Sequence, residues 1–142
     1  MSASQGPKPV GLYPPAKRVG QLLFLSGVGP RIAGSDATDS QVPGLTLDRN
    51  GNYLSFDFEA QCRNVFLNVR TILEANGSSW EQLVDVTVFL TDMKRDFQTY
   101  NRIWAEHFPE HAPCRTTVEV KSLPTPIAIE LKCVAVVVGS VD

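Results

Sequence analysis

Histidine is scarce in this sequence. Only His107 and His111 occur among 142 residues, which leaves little material for a Ser-His-Asp triad or a histidine-rich metal centre. The two are spaced as HxxxH, but Pro109 stands between them in HFPEHAP and spoils the helical geometry that such a pair needs. A histidine cation favoured by a helix C-terminus is the plainer reading. Cysteine is limited to Cys62, Cys114 and Cys133, an odd number with no CxxC spacing. That argues against a disulfide framework and a zinc cluster, and for a reducing compartment. Basic residues never form a run of five and the net charge is −2, so nothing marks a nucleic-acid partner. No apolar run approaches the ~18–20 residues that span a bilayer, and the opening MSASQGPKPV lacks the apolar core of a secretory signal. There is no Gly-x-Gly-x-x-Gly and no P-loop; SGVGP has no helix start directly behind it. The expectations are a cytoplasmic protein with no metal, no nucleic acid and no membrane partner.

What is present reads as one globular domain, residues 1–142, with 43% hydrophobic and 20% charged residues. Residues 1–12 form a loose arm rich in Gly, Pro and Ser. Ala16 to Gly27 reads as a hairpin turning at Val19-Gly20-Gln21, and its apolar run Leu22-Leu23-Phe24-Leu25 suits a strand buried on both faces. Residues 28–52 hold six glycines or prolines among polar residues and read as a long loop, with a short strand near Tyr53. Phe58, Cys62, Val65, Phe66, Val69, Ile72 and Leu73 make one helical stripe, capped by Asp57 or Ser55 and ended by Asn76-Gly77. In LVDVTVFL, Val84, Val86, Val88 and Leu90 alternate with the rest as in a strand. Phe97, Tyr100, Trp104 and Phe108 mark a second helix, with Asp96 as its cap.

Two strands close the chain, CRTTVEV and PIAIELKCVAVVV, joined by KSLPTP. The expected class is α+β, a mixed sheet of about six strands with two helices packed on one face, because two helices cannot cover both. In the last strand Ile127, Ile129, Leu131, Cys133, Ala135 and Val137 share one side. The other side, with Ala128, Glu130, Lys132, Val134, Val136 and Val138, is also largely apolar toward its end. An antiparallel sheet with one wet face alternates more cleanly, so this side is expected to pack against another copy of the chain, or under a flap of the long loop. If the last two strands form a hairpin at Leu123-Pro124, Thr117 faces Glu130, Lys132 faces Arg115, and all four share a face. A guanidinium there could grip a carboxylate with two N–H groups while a neighbouring carboxylate handles water. A plain cross-strand ion pair is the alternative.

The segment APCRTTVEVKSLPTPIAIELKCVAV resembles the C-terminal signature of the RidA (YjgF) family: Pro-x-Arg-(Ser/Thr)-x-Val-x-Val, then Leu-Pro, then a Glu in the closing strand. Tyr13, KRVG, LLFLSG, FLTDM and FQTYNRIWAEHF extend the likeness over roughly residues 11–138. The resemblance implies a chorismate-mutase-like fold, a homotrimer with active sites between subunits, and cofactor-free hydrolysis of an enamine or imine carboxylate. It implies Arg115 as the carboxylate-binding residue, Glu130 as the acid beside the water, and Thr117 as a backbone amide donor. Tyr13, Ser26, Gly27 and Asn101 match other pocket positions. YPPAKRVG, the long loop and CRTTVEV are similar to the 2-aminomuconate deaminases of aromatic degradation, whose substrate carries a second carboxylate. Arg31, Lys17 and Arg18 are candidates to hold it, with Arg31 the choice. A general 2-aminoacrylate deaminase and a non-enzymatic acid-binding or chaperone-like trimer are the other functions the resemblance allows.

Overall fold

The computed structural model describes residue 9 and residues 11–32, 42–124 and 126–138. Most of the expected N-terminal arm therefore lies outside the described residues, as does the middle of the 28–52 segment. Strands β1 (Ala16–Val19) and β2 (Leu22–Leu25) form the expected hairpin, closed by the Val19–Leu22 pair. Gly20 takes φ +62 in that two-residue turn, a conformation that costs a side-chain-bearing residue. The segment expected as loop carries one strand, β3 (Leu45–Leu47), which pairs with the short strand expected near Tyr53, β4 (Tyr53–Phe56), in a second small sheet. Its three-residue first strand was too short for periodicity to reveal.

Helix α1 (Phe58–Ala75) starts where Asp57 accepts a hydrogen bond from the Ala60 N–H, and ends at Asn76 before Gly77 at φ +82. A 3₁₀ turn at Trp80–Gln82 leads into β5 (Leu83–Leu90). A bulge between Leu83 and Asp85 turns Val84 outward, so the buried set is Leu83, Val86, Val88 and Leu90 rather than a simple alternation from Val84. Helix α2 (Met93–His107) begins four residues before the expected start. Its cap is Asp92, which accepts from the Arg95 N–H at 3.0 Å, while Asp96 is buried and clamped by the Arg95 guanidinium at 2.7–2.8 Å. Strands β6 (Cys114–Glu119) and β7 (Ile129–Val136) complete the chain.

The main sheet has the order β1-β2-β7-β5-β6. Both helices lie on one face, and their inner sides meet Leu23, Leu25, Val86, Val88, Leu90, Ile129, Leu131, Cys133 and Ala135 in a single core. This is the expected α+β layering, with five strands in the main sheet and two beside it. The expected C-terminal hairpin does not form. β5 lies between β6 and β7, pairing with β6 in parallel and with β7 antiparallel. The physical reason is the α2 crossover: a strand, a helix and a strand in succession return the chain parallel to where it started. β2 is also not buried on both faces. Leu23 and Leu25 are inside, but Leu22 and Phe24 remain 40% and 38% exposed on the side without helices. Among the described residues, no helix is long and apolar enough to cross a membrane.

The Asp57 cap gives a direct test of this local reading. Asp57→Ala should lower the urea midpoint at unchanged slope, equivalent to about 1 kcal/mol, and Asp57→Asn should recover most of it. Equal loss in both variants would place the contribution outside the cap.

Candidate active site

Five of the sequence-selected residues come together. Tyr13, Ser26, Gly27, Arg31 and Glu130 line one cleft of about 110 Å³, walled by Val28, Ile72 and Ile127 among others. It opens where β2 ends and the chain leaves the hairpin. The Ser26 N–H donates to the Pro15 carbonyl at 2.9 Å and its hydroxyl to the Pro14 carbonyl at 2.7 Å. Ser26 thus fastens the segment bearing Tyr13 against the strand end. Val28 then rejoins the sheet by exchanging backbone hydrogen bonds with Leu131, which leaves Gly27 bulged beside Glu130. A Cβ on Gly27 would stand 2.1 Å from Glu130 Oε2. Only a glycine leaves the carboxyl where it is.

Glu130 is half-buried, and burial pushes its carboxyl above the ordinary range. Among the described residues it has no hydrogen bond or ion pair. Arg31 is 7% exposed, and burial pulls its guanidinium below its ordinary value while Tyr13 acts the other way. Its backbone is held by α1. Asn68 Nδ2 donates to the carbonyls of Gly29 at 3.0 Å and Arg31 at 2.7 Å, and Asn64 Nδ2 to those of Pro30 at 2.8 Å and Arg31 at 3.2 Å. Gln61, fully buried, accepts from the Ala128 N–H at 2.9 Å. The sequence reading missed these three amides. The signal was present: Gln61 and Asn68 fall on the apolar stripe, four residues before Val65 and four before Ile72.

Arg115, Thr117 and Asn101 are elsewhere. The β6–β5–β7 register aligns Arg115 with Val86 and Cys133, and Thr117 with Val88 and Leu131, all on the helix side. Glu130 aligns with Phe89 and Val118 on the opposite side. The expected shared face of Arg115, Thr117, Glu130 and Lys132 is therefore corrected, and with it the cross-strand ion pair. The Arg115 guanidinium lies over the rings of Trp104, Tyr100 and Phe97 at 5.1, 5.3 and 5.7 Å. Thr117 Oγ1 is buried with no hydrogen-bond partner among the described residues, and Asn101 is exposed on α2. Lys17 and Arg18 stand exposed on β1, away from the cleft, and Arg18 Nε donates to the Gly20 carbonyl at 2.8 Å. Lys132 Nζ donates to the Leu25 carbonyl.

Other chemistry is thin. All three cysteines are free, and burial pushes the Cys62 and Cys133 thiols up to about 12, far from the thiolate form. His107 closes α2, with Nδ1 2.9 Å from the Ile103 carbonyl and its ring edge-on to Phe66; His111 lies beyond the helix. Among the described residues, no three His, Cys, Asp or Glu side chains group as metal ligands would.

Residues 3–137 match the family described as Endoribonuclease L-PSP, and the chain belongs to that family, which includes the RutC and RidA proteins. It is 37% identical over 130 residues to a RutC family protein of Pyrococcus horikoshii, covering 91% of this chain and 90% of that one. It is 33% identical over 135 residues to the chloroplastic Reactive Intermediate Deaminase A of Arabidopsis thaliana, covering 95% of this chain and 64% of that one. Among solved structures, that of E. coli TdcF with bound serine superposes at a TM-score of 0.72 with 29% identity, covering 93% of both chains.

The amides that hold the cleft wall can be tested apart from any activity. Asn68→Ala leaves buried carbonyls short of donors and should cost about 1–3 kcal/mol of stability. Asn68→Asp sets a carboxylate against those carbonyls, so its carboxyl is raised in the folded state. The stability it has is then full below the ordinary carboxyl range and falls away as pH rises through the raised value. Urea denaturation of the Asp variant should show that loss between acid and neutral pH; a pH-independent deficit would mean that Asn68 does not donate to the loop.

Proposed function

We propose that the chain is a deaminase that hydrolyses a 2-enamine or 2-imine carboxylate to the 2-oxo acid and ammonia. The observation that carries this reading is Glu130, a desolvated carboxyl without a partner among the described residues, pressed against the bare backbone of Gly27 inside a cleft that also holds Arg31. The enamine tautomerises to the imine, water adds to the imine carbon, and nitrogen leaves as ammonia after taking a proton. Glu130 orients the water and carries the proton, a task suited to a carboxyl raised toward neutrality. The relative named Reactive Intermediate Deaminase A supports this chemistry, and TdcF with bound serine supports a 2-amino carboxylate as the ligand type.

Carboxylate capture falls to Arg115, which one copy of the chain does not bring to Glu130. The reading therefore requires a composite site, with Arg115, Thr117 and Asn101 from one copy facing the Glu130 cleft of the next, in a homotrimer. The sheet side without helices supports such an assembly. Leu22, Phe24 and Val118 are exposed there beside the partly covered Val134 and Val136, an apolar surface that a second copy would remove from water. The preferred substrate in this reading is 2-aminomuconate, converted to 4-oxalocrotonate in aromatic-compound degradation, with Arg31 holding the second carboxylate inside the cleft. Small 2-aminoacrylate-type substrates are the second reading, favoured by the serine complex of TdcF. We read the location as cytoplasmic, in keeping with three free cysteines. Ribonuclease chemistry is not our reading, despite the family's description: Arg63 and Arg102 are tied to Glu59 and Glu106 across α1 and α2, which leaves little unneutralised basic surface there for a phosphate backbone.

The protein should elute near three times 15.6 kDa. Arg115→Lys, which keeps the charge but loses the two-pronged donor edge, should lower kcat/KM by about 10²-fold, or about 3 kcal/mol. Glu130→Gln should act mainly on kcat, and Gly27→Ala should reproduce that loss by displacing the carboxyl. Co-refolding the strongly impaired Arg115→Met and Glu130→Gln chains in equal amounts should restore about a quarter of wild-type sites, those pairing an intact arginine with a neighbour's intact glutamate. Full activity in a monomer, or no recovery on mixing, would end the composite-site reading.

A further inference from the structure

Three aromatic rings surround the one arginine on which carboxylate capture is proposed to rest. Phe97, Tyr100 and Trp104 recur at three and four residues along α2, so they share the helix face turned toward β6. The Arg115 guanidinium lies 5.1–5.7 Å from all three ring centroids, within the range of cation–π attraction. The rings are themselves braced. Tyr100 is fully buried and edge-on to Phe66 at 5.9 Å; Trp104 lies 4.4 Å from Phe108, 5.9 Å from Tyr100 and 6.5 Å from Phe66.

The contrast with other arginines is informative. Arg63 and Arg102 give their N–H groups to carboxylates, Arg95 does so while lying 4.4 Å over Phe56, and Arg70 rests on the single ring of Trp80; the Arg115 guanidinium alone meets three rings, with no hydrogen-bond or ion-pair partner among the described residues. A ring attracts a guanidinium through its negative face and leaves the in-plane N–H edge unconsumed, while a carboxylate partner would occupy that edge. An aromatic enclosure is thus a way to fix a long, flexible cation without blocking the donors that a carboxylate ligand uses. Held in this way, the side chain loses less rotamer freedom when the ligand arrives.

We propose that Phe97, Tyr100 and Trp104 are positioning residues that pre-organise Arg115 for the substrate carboxylate. This inference rests on the carboxylate role of Arg115 in the function proposed above. Because the carboxylate is bound in the ground state as well as in the transition state, loosening the enclosure should act on KM more than on kcat.

The test is a double-mutant cycle in the full-length assembled protein. It reads kcat and KM on 2-aminoacrylate generated in situ, and the Kd for pyruvate, a 2-oxo acid of the product class, by calorimetry. Trp104→Leu should raise KM and the pyruvate Kd about tenfold with kcat within about threefold, and Trp104→Phe, which keeps a ring, should stay within about threefold of wild type. In an Arg115→Met background, Trp104→Leu should change neither constant further. Phe97→Leu, at the edge of the core, runs the same cycle with a smaller packing change and decides the matter if Trp104→Leu does not fold. Equal losses in both backgrounds would show that the rings act on the fold and not through Arg115, overturning the inference. Unchanged pyruvate affinity in both Leu variants would overturn it as well, leaving the deaminase reading intact if Arg115→Met still loses binding. Normal activity and affinity in Arg115→Met would overturn both.

Discussion

Strand β7 is the constraint around which the rest is arranged, because it is paired on both edges, with β2 on one side and β5 on the other. A strand with both edges bonded cannot slip by one residue without exchanging its two faces. Ile129, Leu131, Cys133 and Ala135 are buried against the helices, at 1% exposure or less. That inward set fixes the outward one, so Glu130 and Lys132 must leave the sheet on the side without helices. The carboxyl in the cleft is where it is because its neighbours in sequence are core residues.

The same arrangement separates the two groups on which the proposed chemistry rests. β5 stands between β6 and β7, and the alternation in each strand sends Arg115 toward α2 and Glu130 away from it. In water-exposed sheets a basic and an acidic side chain two strands apart often end as an ion pair of small value. Here the sheet itself lies between them, and neither neutralises the other. Arg115 keeps its donors and Glu130 keeps its lone pairs, each in a setting that excludes part of the surrounding water. For the deaminase proposed above, a second copy would serve the chemistry as well as cover Leu22, Phe24 and Val118.

Much of the fold was legible because it is local. The helical stripe from Phe58 to Leu73, the Asp57 cap, the Gly20 turn and the face alternation of the last strand all follow from residues close in sequence. Strand order was not legible in the same way. A KSLPTP turn between two strands permits a hairpin, and nothing in those residues states that β5 already occupies the edge of β7. The signal lay in the order of elements, since β5, α2 and β6 form a strand-helix-strand unit whose natural product is parallel pairing. The short β3 carried no usable period. The Val84 bulge went unseen because Val84, Val86, Val88 and Leu90 make an unbroken apolar phase that gives no sign of an irregularity at its first residue. Of the residues named through family likeness, Tyr13, Ser26, Gly27 and Glu130 line one cleft, whereas Arg115, Thr117 and Asn101 lie elsewhere. Gln61, Asn64 and Asn68 were passed over because attention to an apolar stripe discounts the polar residues that interrupt it.

Those polar interruptions bear on why the cleft is stable at all. A loop that leaves a sheet edge and runs over a helix exposes carbonyls to an interior that cannot hydrate them. Gly29, Pro30 and Arg31 present three such carbonyls, and two side-chain amides on successive helical turns meet them. Replacing these amides by apolar residues would extend the core stripe but leave the carbonyls short of donors, at a cost comparable to what the added burial contributes. With the carbonyls met, the backbone of residues 29–31 is fixed on the helix and cannot drift to accommodate a displaced Glu130. The precision of the Glu130 carboxyl against Gly27 therefore derives from amides on α1 that never touch it.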